Sequence, residues 1–260
     1  MGFLYQNTTT NNVIIGCGDS LMAGNNSGTP LVNQVTLPNF QGMGWSRYNA
    51  ATAGITPARQ LRDADSINGI VERVLPNLSP SAPVNLVMVW CISNAFASGQ
   101  TLTQGLDDLK ALCLELKRWG CKVLVMGHIA RFGVADSYVP GMHNELMNVS
   151  GTYYYGGFAD AFWNPAYMAP FGQNTTGTYP SGAGANNGTY YDTDKTHLKA
   201  AGFSQLVSGG SGYDLNSIIA ALINNTGGSL PQPFVASGLT ATKYALLNQK
   251  DVFDIMTAGL

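Results

Sequence analysis

Apolar and polar positions along the chain follow two periods, as expected for strands that alternate with helices. Three runs are apolar almost throughout, which is typical of strands buried on both faces of a parallel sheet: residues 12–17, 84–90 and 122–126. Between the second and third runs, leucines recur at steps of three and four over residues 102–116, and Gly120 follows where a helix C-cap belongs. The pattern predicts a strand, a right-handed crossover helix and a parallel strand.

The rest of the pattern is weaker. A helix is predicted over residues 57–75, because apolar side chains recur with helical spacing and Pro76 follows. Further along we expect a helix at 142–149, an aromatic strand at 152–158, a long Gly/Asn/Tyr-rich loop at 161–191, helices at 197–208 and 214–224, and a helix near the end of the chain. These elements predict one α/β domain over residues 1–225, with helices on both faces of a parallel sheet, and an appendage of unknown role over 226–260.

Composition and charge exclude several classes of function. Charged residues make up 11% of the 260 residues, and 13 Lys and Arg face 15 Asp and Glu without any basic run. Binding to nucleic acid or to an anionic membrane needs a concentrated positive surface, so neither is expected as a partner. The first twelve residues lack the cationic and apolar regions of a signal peptide, and no apolar run is long enough to span a bilayer. We therefore expect a soluble protein.

The four cysteines are Cys17, Cys91, Cys113 and Cys121. None of them forms a CxxC pair or has a Cys/His spacing that would suit zinc, so we expect buried free thiols rather than a metal site. Nothing in the sequence calls for a metal or a cofactor.

Candidate chemistry begins where the first strand ends, in Gly18-Asp19-Ser20-Leu21. In an open α/β sheet, ligands gather at the carboxyl ends of the strands, so a serine in this turn opens onto the crevice. A serine hydroxyl needs a base within hydrogen-bond reach and a third group that orients the base. The stretch Asp194-Lys-Thr-His197 offers both, because a spacing of three lets the carboxylate reach one imidazole nitrogen.

Two alternatives remain open for these roles. His128 ends the third strand and also faces the crevice edge, although its first acidic neighbour in sequence is Asp136. Asp192 could orient His197 instead of Asp194, from a less direct spacing of five residues.

The order of these motifs resembles the SGNH (GDSL-type) hydrolase family, whose first block is GDSL and whose last is DxxH. The resemblance covers roughly residues 13–208 and implies a flavodoxin-like three-layer α/β/α sandwich with a central parallel sheet. It also implies an oxyanion hole formed by the N–H of Ser20, the N–H of Gly54 in Asn49-Ala-Ala-Thr-Ala-Gly54, and the amide of Asn94. Where the family usually has Gly-x-Asn-Asp, this chain has Ile92-Ser93-Asn94-Ala95.

The resemblance implies a serine ester hydrolase that acts through Ser20, His197 and Asp194 without a metal. The aromatic side chains before the DxxH block could stack on sugar rings, which favours an acetyl esterase acting on an acetylated glycan: Trp163, Tyr167, Tyr190 and Tyr191. The same aromatics could instead pack against their own core. A short-chain lipase or thioesterase, and a non-catalytic carbohydrate-binding or adhesion module of a viral tail or surface assembly, are the alternatives.

Overall fold

The computed structural model describes residues 11–61, 69–135, 137–168, 171, 188–209, 213–224 and 235–236. The strands are β1 (Asn12–Gly18), β2 (Trp45–Asn49), β3 (Asn85–Trp90), β4 (Lys122–Met126), β5 (Ala161–Trp163) and β6 (Val235–Ala236). They form one sheet in the order β2-β1-β3-β4-β5-β6. The first five strands are parallel to one another, and β6 pairs with β5 in the antiparallel sense.

Eight helices are described: α1 (Leu31–Gln34), α2 (Pro57–Leu61), α3 (Ile70–Arg73), α4 (Ser93–Ala97), α5 (Leu102–Arg118), α6 (Tyr138–Met147), α7 (Ala200–Ser208) and α8 (Leu215–Asn224). Buried side chains of α5, with Met142 and Leu146 of α6, pack on one face of the sheet, and those of α1, α7 and α8 pack on the other. The fold is therefore a three-layer α/β/α sandwich around a parallel sheet, as predicted.

Successive side chains of β1 point to opposite faces of the sheet, so this strand contributes to the hydrophobic cores on both faces. Val13, Ile15 and Cys17 face the α5 side, and Ile14 faces the α7 and α8 side. All four side chains have no exposed surface. Burial on both faces accounts for the almost uniformly apolar sequence of this strand.

The strongly patterned elements agree with the sequence-based predictions. The three predicted strands correspond to β1, β3 and β4, and the leucine-rich helix corresponds to α5. Thr101 and Gln104 form a capping box at the start of α5, and Gly120 adopts a φ of 77° just beyond its end. The helices predicted near the end of the domain correspond to α7 and α8.

Three predicted elements were wrong. Residues 57–75 do not form a single helix, because Gly69 has extended backbone between α2 and α3, and a 3-10 turn over Leu75–Asn77 then includes Pro76. The predicted aromatic strand at 152–158 is a turn with a 3-10 segment over Tyr155–Gly157. Its two adjacent glycines favour a turn. The next strand of the sheet is β5, which lies at the start of the stretch 161–191 that was predicted to be a loop; its three buried residues pair with β4.

Other predictions have mixed outcomes. The helix expected at 142–149 is present as α6, but it begins earlier, at Tyr138, and ends at Met147. The four cysteines are free and buried, as expected. Within the described ranges, no helix is long and apolar enough to cross a bilayer. The helix predicted near the end of the chain lies outside the described residues, and of the stretch 226–260 only β6 is described.

Candidate active site

Ser20 sits in the turn that follows β1, at the edge of the sheet where the parallel strands end. The backbones of β1 and β3 approach closely there: a Cβ on Gly18 would lie 2.3 Å from the carbonyl oxygen of Trp90. The next residue continues this contact, since the N–H of Asp19 donates to the same carbonyl at 3.0 Å. Asp19 Oδ1 accepts the N–H of Leu21 at 2.9 Å and so shapes the turn around the serine.

His197 bridges the serine and an acidic residue. Its Nε2 lies 2.8 Å from Ser20 Oγ, and its Nδ1 lies 2.6 Å from Asp194 Oδ2. A carboxylate only accepts hydrogen bonds, so Nδ1 carries the hydrogen and Nε2 is left to accept from the Ser20 hydroxyl. The structure thus brings together Ser20, His197 and Asp194, the three residues for which the sequence suggested the roles of nucleophile, base and orienting acid.

Asp194 is held in place by the backbone of its own turn. Its Oδ1 accepts the N–H groups of Thr196 at 2.9 Å and of His197 at 3.0 Å. Partial burial raises the pKa of Asp194, but the hydrogen bonds from the His197 ring and from these two backbone groups outweigh it. The pKa of this carboxyl therefore lies below its ordinary value, and Asp194 is ionised at neutral pH.

Asp192 does not orient the imidazole. Its Oδ2 accepts from Asn26 Nδ2 at 2.8 Å, and its Oδ1 accepts the N–H of Thr193 at 2.7 Å. The contact with Asn26 ties the loop that carries His197 to the loop that follows Ser20. Asp192 thus connects the two loops, and the alternative orienting role is not observed.

His128 is not hydrogen-bonded to the serine either, since neither of its ring nitrogens has a hydrogen-bond partner among the described residues. Its ring is 1% exposed and packs edge-on against Phe96, with 5.5 Å between the ring centroids. Burial, with a smaller contribution from Arg131, lowers the pKa of His128 to about 3. An imidazole with so low a pKa is a weak base at neutral pH and is unsuited to take the proton from the serine.

The two further oxyanion-hole candidates lie next to each other. The backbone at Gly54 has a φ of 76°, a conformation that favours glycine. Asn94, in the first turn of α4, donates from Nδ2 to the carbonyl oxygen of Ile55 at 3.2 Å. The loop that contains Gly54 is in turn joined to the end of β1, because the N–H of Thr52 donates to the carbonyl oxygen of Gly18 at 2.8 Å. Around Asn94, where the sequence departs from the family pattern, the chain begins helix α4. The Asn94 side chain still reaches the loop that contains Gly54.

Two residues near the site were not singled out from the sequence. Arg131 and Phe132 belong to the loop that follows β4, at the same edge of the sheet as Ser20. Arg131 Nη1 donates to Ser93 Oγ at 2.7 Å and to Asn94 Oδ1 at 3.2 Å. The N–H of Phe132 donates to the carbonyl oxygen of Lys195 at 2.9 Å, and its side chain is 72% exposed. Both residues follow the end of β4, and this position, which made His128 a candidate in the sequence, is the signal that could have identified them.

Asp19, next to the serine, is a further ionisable group of the site with a shifted pKa. Its side chain is fully buried, and burial raises the pKa of Asp19 to about 7. The N–H of Leu21 and the positive charge of Arg131 act in the opposite direction and limit the shift. The protonation state of this carboxyl therefore changes near neutral pH.

The aromatic residues predicted to bind a sugar are mostly not available for it. Trp163 and Tyr191 have no exposed surface, so the prediction that they contact substrate is wrong for these two side chains. They complete the core on the α7 and α8 side, where Trp163 donates its indole N–H to the carbonyl oxygen of Tyr213. Tyr190 is half-buried, with its ring centroid 5.9 Å from that of Phe171. The side chain of Tyr167 lies outside the described residues.

Comparison with known proteins gives structural likenesses only. No protein-family model matches the chain, and no curated protein sequence matches it. The esterase EstA from Pseudoalteromonas sp. is 15% identical, with a TM-score of 0.46 over 73% of this chain and 89% of that chain. AlinE4, a SGNH-hydrolase family esterase, is 23% identical, with a TM-score of 0.37 over 53% of this chain and 69% of that chain. A lipase/acylhydrolase from Enterococcus faecalis is 13% identical, with a TM-score of 0.43 over 76% of this chain and 92% of that chain.

Proposed function

We propose that the protein is a serine esterase of the SGNH type, a carboxylic ester hydrolase that works through a covalent acyl-enzyme. The observation that carries the proposal is the continuous hydrogen-bonded series from Ser20 Oγ to His197 Nε2 and from His197 Nδ1 to Asp194 Oδ2. A serine hydroxyl bonded to an imidazole, whose other nitrogen is bonded to a carboxylate, is the arrangement that activates serine for acyl transfer.

In the first half of the reaction, His197 Nε2 takes the Ser20 proton while Oγ attacks the ester carbonyl carbon. The carbonyl oxygen becomes an oxyanion, and the proposed donors to it are the N–H groups of Ser20 and Gly54 and the Nδ2–H of Asn94. Collapse of this intermediate breaks the bond to the alkoxy group, which leaves as an alcohol with the proton from His197. Asp194 stabilises the imidazolium that exists between these two proton transfers.

In the second half, His197 takes a proton from water, and the resulting hydroxide attacks the carbonyl carbon of the acyl group on Ser20. The second tetrahedral intermediate expels Oγ, which regains its proton from His197. The products are a carboxylic acid and the free enzyme. None of these steps is assigned to a metal, and in the described part of the chain no group of three or more His, Cys, Asp or Glu could hold one.

For the substrate, we propose an acetyl ester on a carbohydrate. Support comes from the low proportion of charged residues, 11% of the chain, and from an aromatic side chain beside the site. Phe132 is 72% exposed, and its backbone is bonded to Lys195, the neighbour of Asp194. An exposed aromatic ring at this position offers a flat apolar surface to a sugar ring. In this proposal the Phe132 ring contacts the sugar, which is the role that the sequence had suggested for Trp163 and Tyr191.

The test compares wild type with Ser20→Ala on p-nitrophenyl acetate, butyrate and octanoate, and measures acetate released from acetylated xylan. We expect turnover that depends on Ser20 and favours acetate. Ser20→Ala removes only the hydroxyl oxygen of the nucleophile, and a circular dichroism spectrum checks that the variant is folded. Retained hydrolysis by this variant would overturn the proposal.

Other outcomes separate the alternatives. Preference for octanoate would favour a lipase over an acetyl esterase. Folded wild-type protein that hydrolyses none of these esters but binds the glycan would favour a carbohydrate-binding or adhesion module on the same fold.

A further inference from the structure

Arg131 connects the loop after β4 to the candidate oxyanion donor Asn94. Its Nη1 atom lies 3.2 Å from Asn94 Oδ1 and 2.7 Å from Ser93 Oγ. On the other side of the same amide, Asn94 Nδ2 lies 3.2 Å from the carbonyl oxygen of Ile55. The Asn94 amide is thus held between a cationic donor and a backbone acceptor.

These two neighbours allow only one orientation of the Asn94 amide. A guanidinium donates hydrogen bonds and accepts none, so the atom that faces Arg131 must be the carbonyl oxygen. A backbone carbonyl only accepts, so the atom that faces Ile55 must be the nitrogen. Rotation of the amide by half a turn would set an NH₂ group against the guanidinium and two carbonyl oxygens against each other. With both neighbours in place, the nitrogen stays on the Gly54 side.

The contact with Arg131 also strengthens the amide as a donor. A charge-assisted hydrogen bond to the carbonyl oxygen draws electron density away from the nitrogen, and hydrogen bonds in series reinforce one another in a partly buried site. Arg131 is itself half-buried, and burial lowers its pKa from the very high ordinary value, while the carboxyl groups of Asp19 and Asp194 act in the opposite direction. An arginine keeps its charge under such conditions.

We propose that Arg131 is a positioning residue for ester hydrolysis, which orients and polarises the Asn94 amide so that Nδ2–H binds the oxyanion of the tetrahedral intermediate. The inference rests on the proposed function. In this role Arg131 acts through Asn94, and its effect is confined to the step in which negative charge develops on the carbonyl oxygen.

A double-mutant cycle tests the proposal directly. The four proteins are wild type, Arg131→Met, Asn94→Ala and the double variant, each assayed for kcat and KM on p-nitrophenyl acetate. Loss of one oxyanion donor costs about 10²-fold or more in kcat, so Asn94→Ala should lose about that much. We expect Arg131→Met to lower kcat about 10-fold or more with KM nearly unchanged. In the Asn94→Ala background the same Arg131→Met change should cost less than about 3-fold, because its target is already absent.

Two further variants guard against a purely structural explanation. Arg131→Lys keeps the charge but loses the planar guanidinium, and we expect a kcat between those of Arg131→Met and wild type. Arg118→Met removes an exposed arginine on α5 that pairs with Glu115 at 3.2 Å, and serves as the matched control. Its kcat should equal that of wild type. If Arg131→Met does not fold, the cycle is run with Arg131→Lys.

The outcomes separate the inference from the proposed function. If Ser20→Ala is inactive and the losses of Arg131→Met and Asn94→Ala multiply in the double variant, Arg131 does not act through Asn94 and the inference is wrong. An unchanged kcat in Arg131→Met would overturn it equally. If Ser20→Ala retains activity, it is the proposed function that fails, whatever the cycle shows.

Discussion

His197 Nε2 lies 2.8 Å from Ser20 Oγ, although 177 positions separate these residues along the chain. The sheet brings them together, because Ser20 follows β1 and His197 precedes α7 at the same edge. A second contact between the same two loops, from Asn26 Nδ2 to Asp192 Oδ2 at 2.8 Å, holds them in this relation. Asp192 and Asp194 lie two positions apart but have different partners, Asn26 and His197.

Asp194→Asn should lower kcat on p-nitrophenyl acetate by about 10³- to 10⁴-fold with the protein still folded. An amide can still accept the N–H groups of Thr196 and His197, so the turn persists, but it cannot stabilise the imidazolium. Asp192→Asn is the matched control, since it makes the same change beside the same histidine. A loss of equal size in Asp192→Asn would contradict the assignment of Asp194 as the orienting acid.

Phe132→Ala should reduce kcat/KM on acetylated xylan about 3- to 10-fold, the size expected from loss of one aromatic contact. Its effect on p-nitrophenyl acetate should be small, because that ester carries no sugar. Trp119→Ala is the control: this side chain is 48% exposed and lies just before β4, at the opposite edge of the sheet. Equal losses on both esters would show that Phe132 does not select for the glycan.

Asp19→Asn should change how stability depends on pH. The unfolded carboxyl titrates near 3.8 and the folded one near 7, so between these values only the folded state holds the proton. The free energy of unfolding therefore carries a contribution that declines as pH rises from about 4 to about 7, and the variant lacks this contribution. The stability of Asp19→Asn relative to wild type should increase by about 4 kcal/mol over that interval.

Urea unfolding at pH 4.5, 6 and 8 measures this difference. Asp107→Asn, on the exposed side of α5, controls for the loss of a carboxylate as such. If the difference between Asp19→Asn and wild type is the same at all three values, Asp19 does not titrate in the way its burial implies.

Gly18→Ala should destabilise the fold by about 3 kcal/mol, because its Cβ would lie 2.3 Å from the Trp90 carbonyl oxygen and 2.7 Å from the Met22 Cβ. The rigid backbone of β3 cannot move aside without disturbing the sheet. Gly157→Ala is the control, since a Cβ there meets nothing within 4 Å. Its unfolding midpoint should stay close to that of wild type, and a similar midpoint for Gly18→Ala would contradict the close approach of β1 and β3.

The sequence determined the elements whose signals are local. β1, β3, β4 and α5 follow from apolar runs and leucine spacing, and these four suffice for a parallel sheet with a crossover helix. The candidate residues Ser20, Asp194 and His197 could be named from their motifs, since the carboxylate and imidazole are only three positions apart. Their catalytic roles stay predictions until the variants are assayed.

Only the tertiary structure decided which side chains face the site. Trp163 and Tyr191 are aromatic residues in a Gly-rich stretch, and nothing local distinguishes a ring that packs in the core from one that faces a substrate. Arg131 reaches Asn94 across 37 positions, through a contact that exists only because β3 and β4 are neighbours in the sheet. Periodicity reports whether an element has a buried face, whereas burial and pairing across the sheet depend on which elements become neighbours, and that is set by the packing of the whole chain.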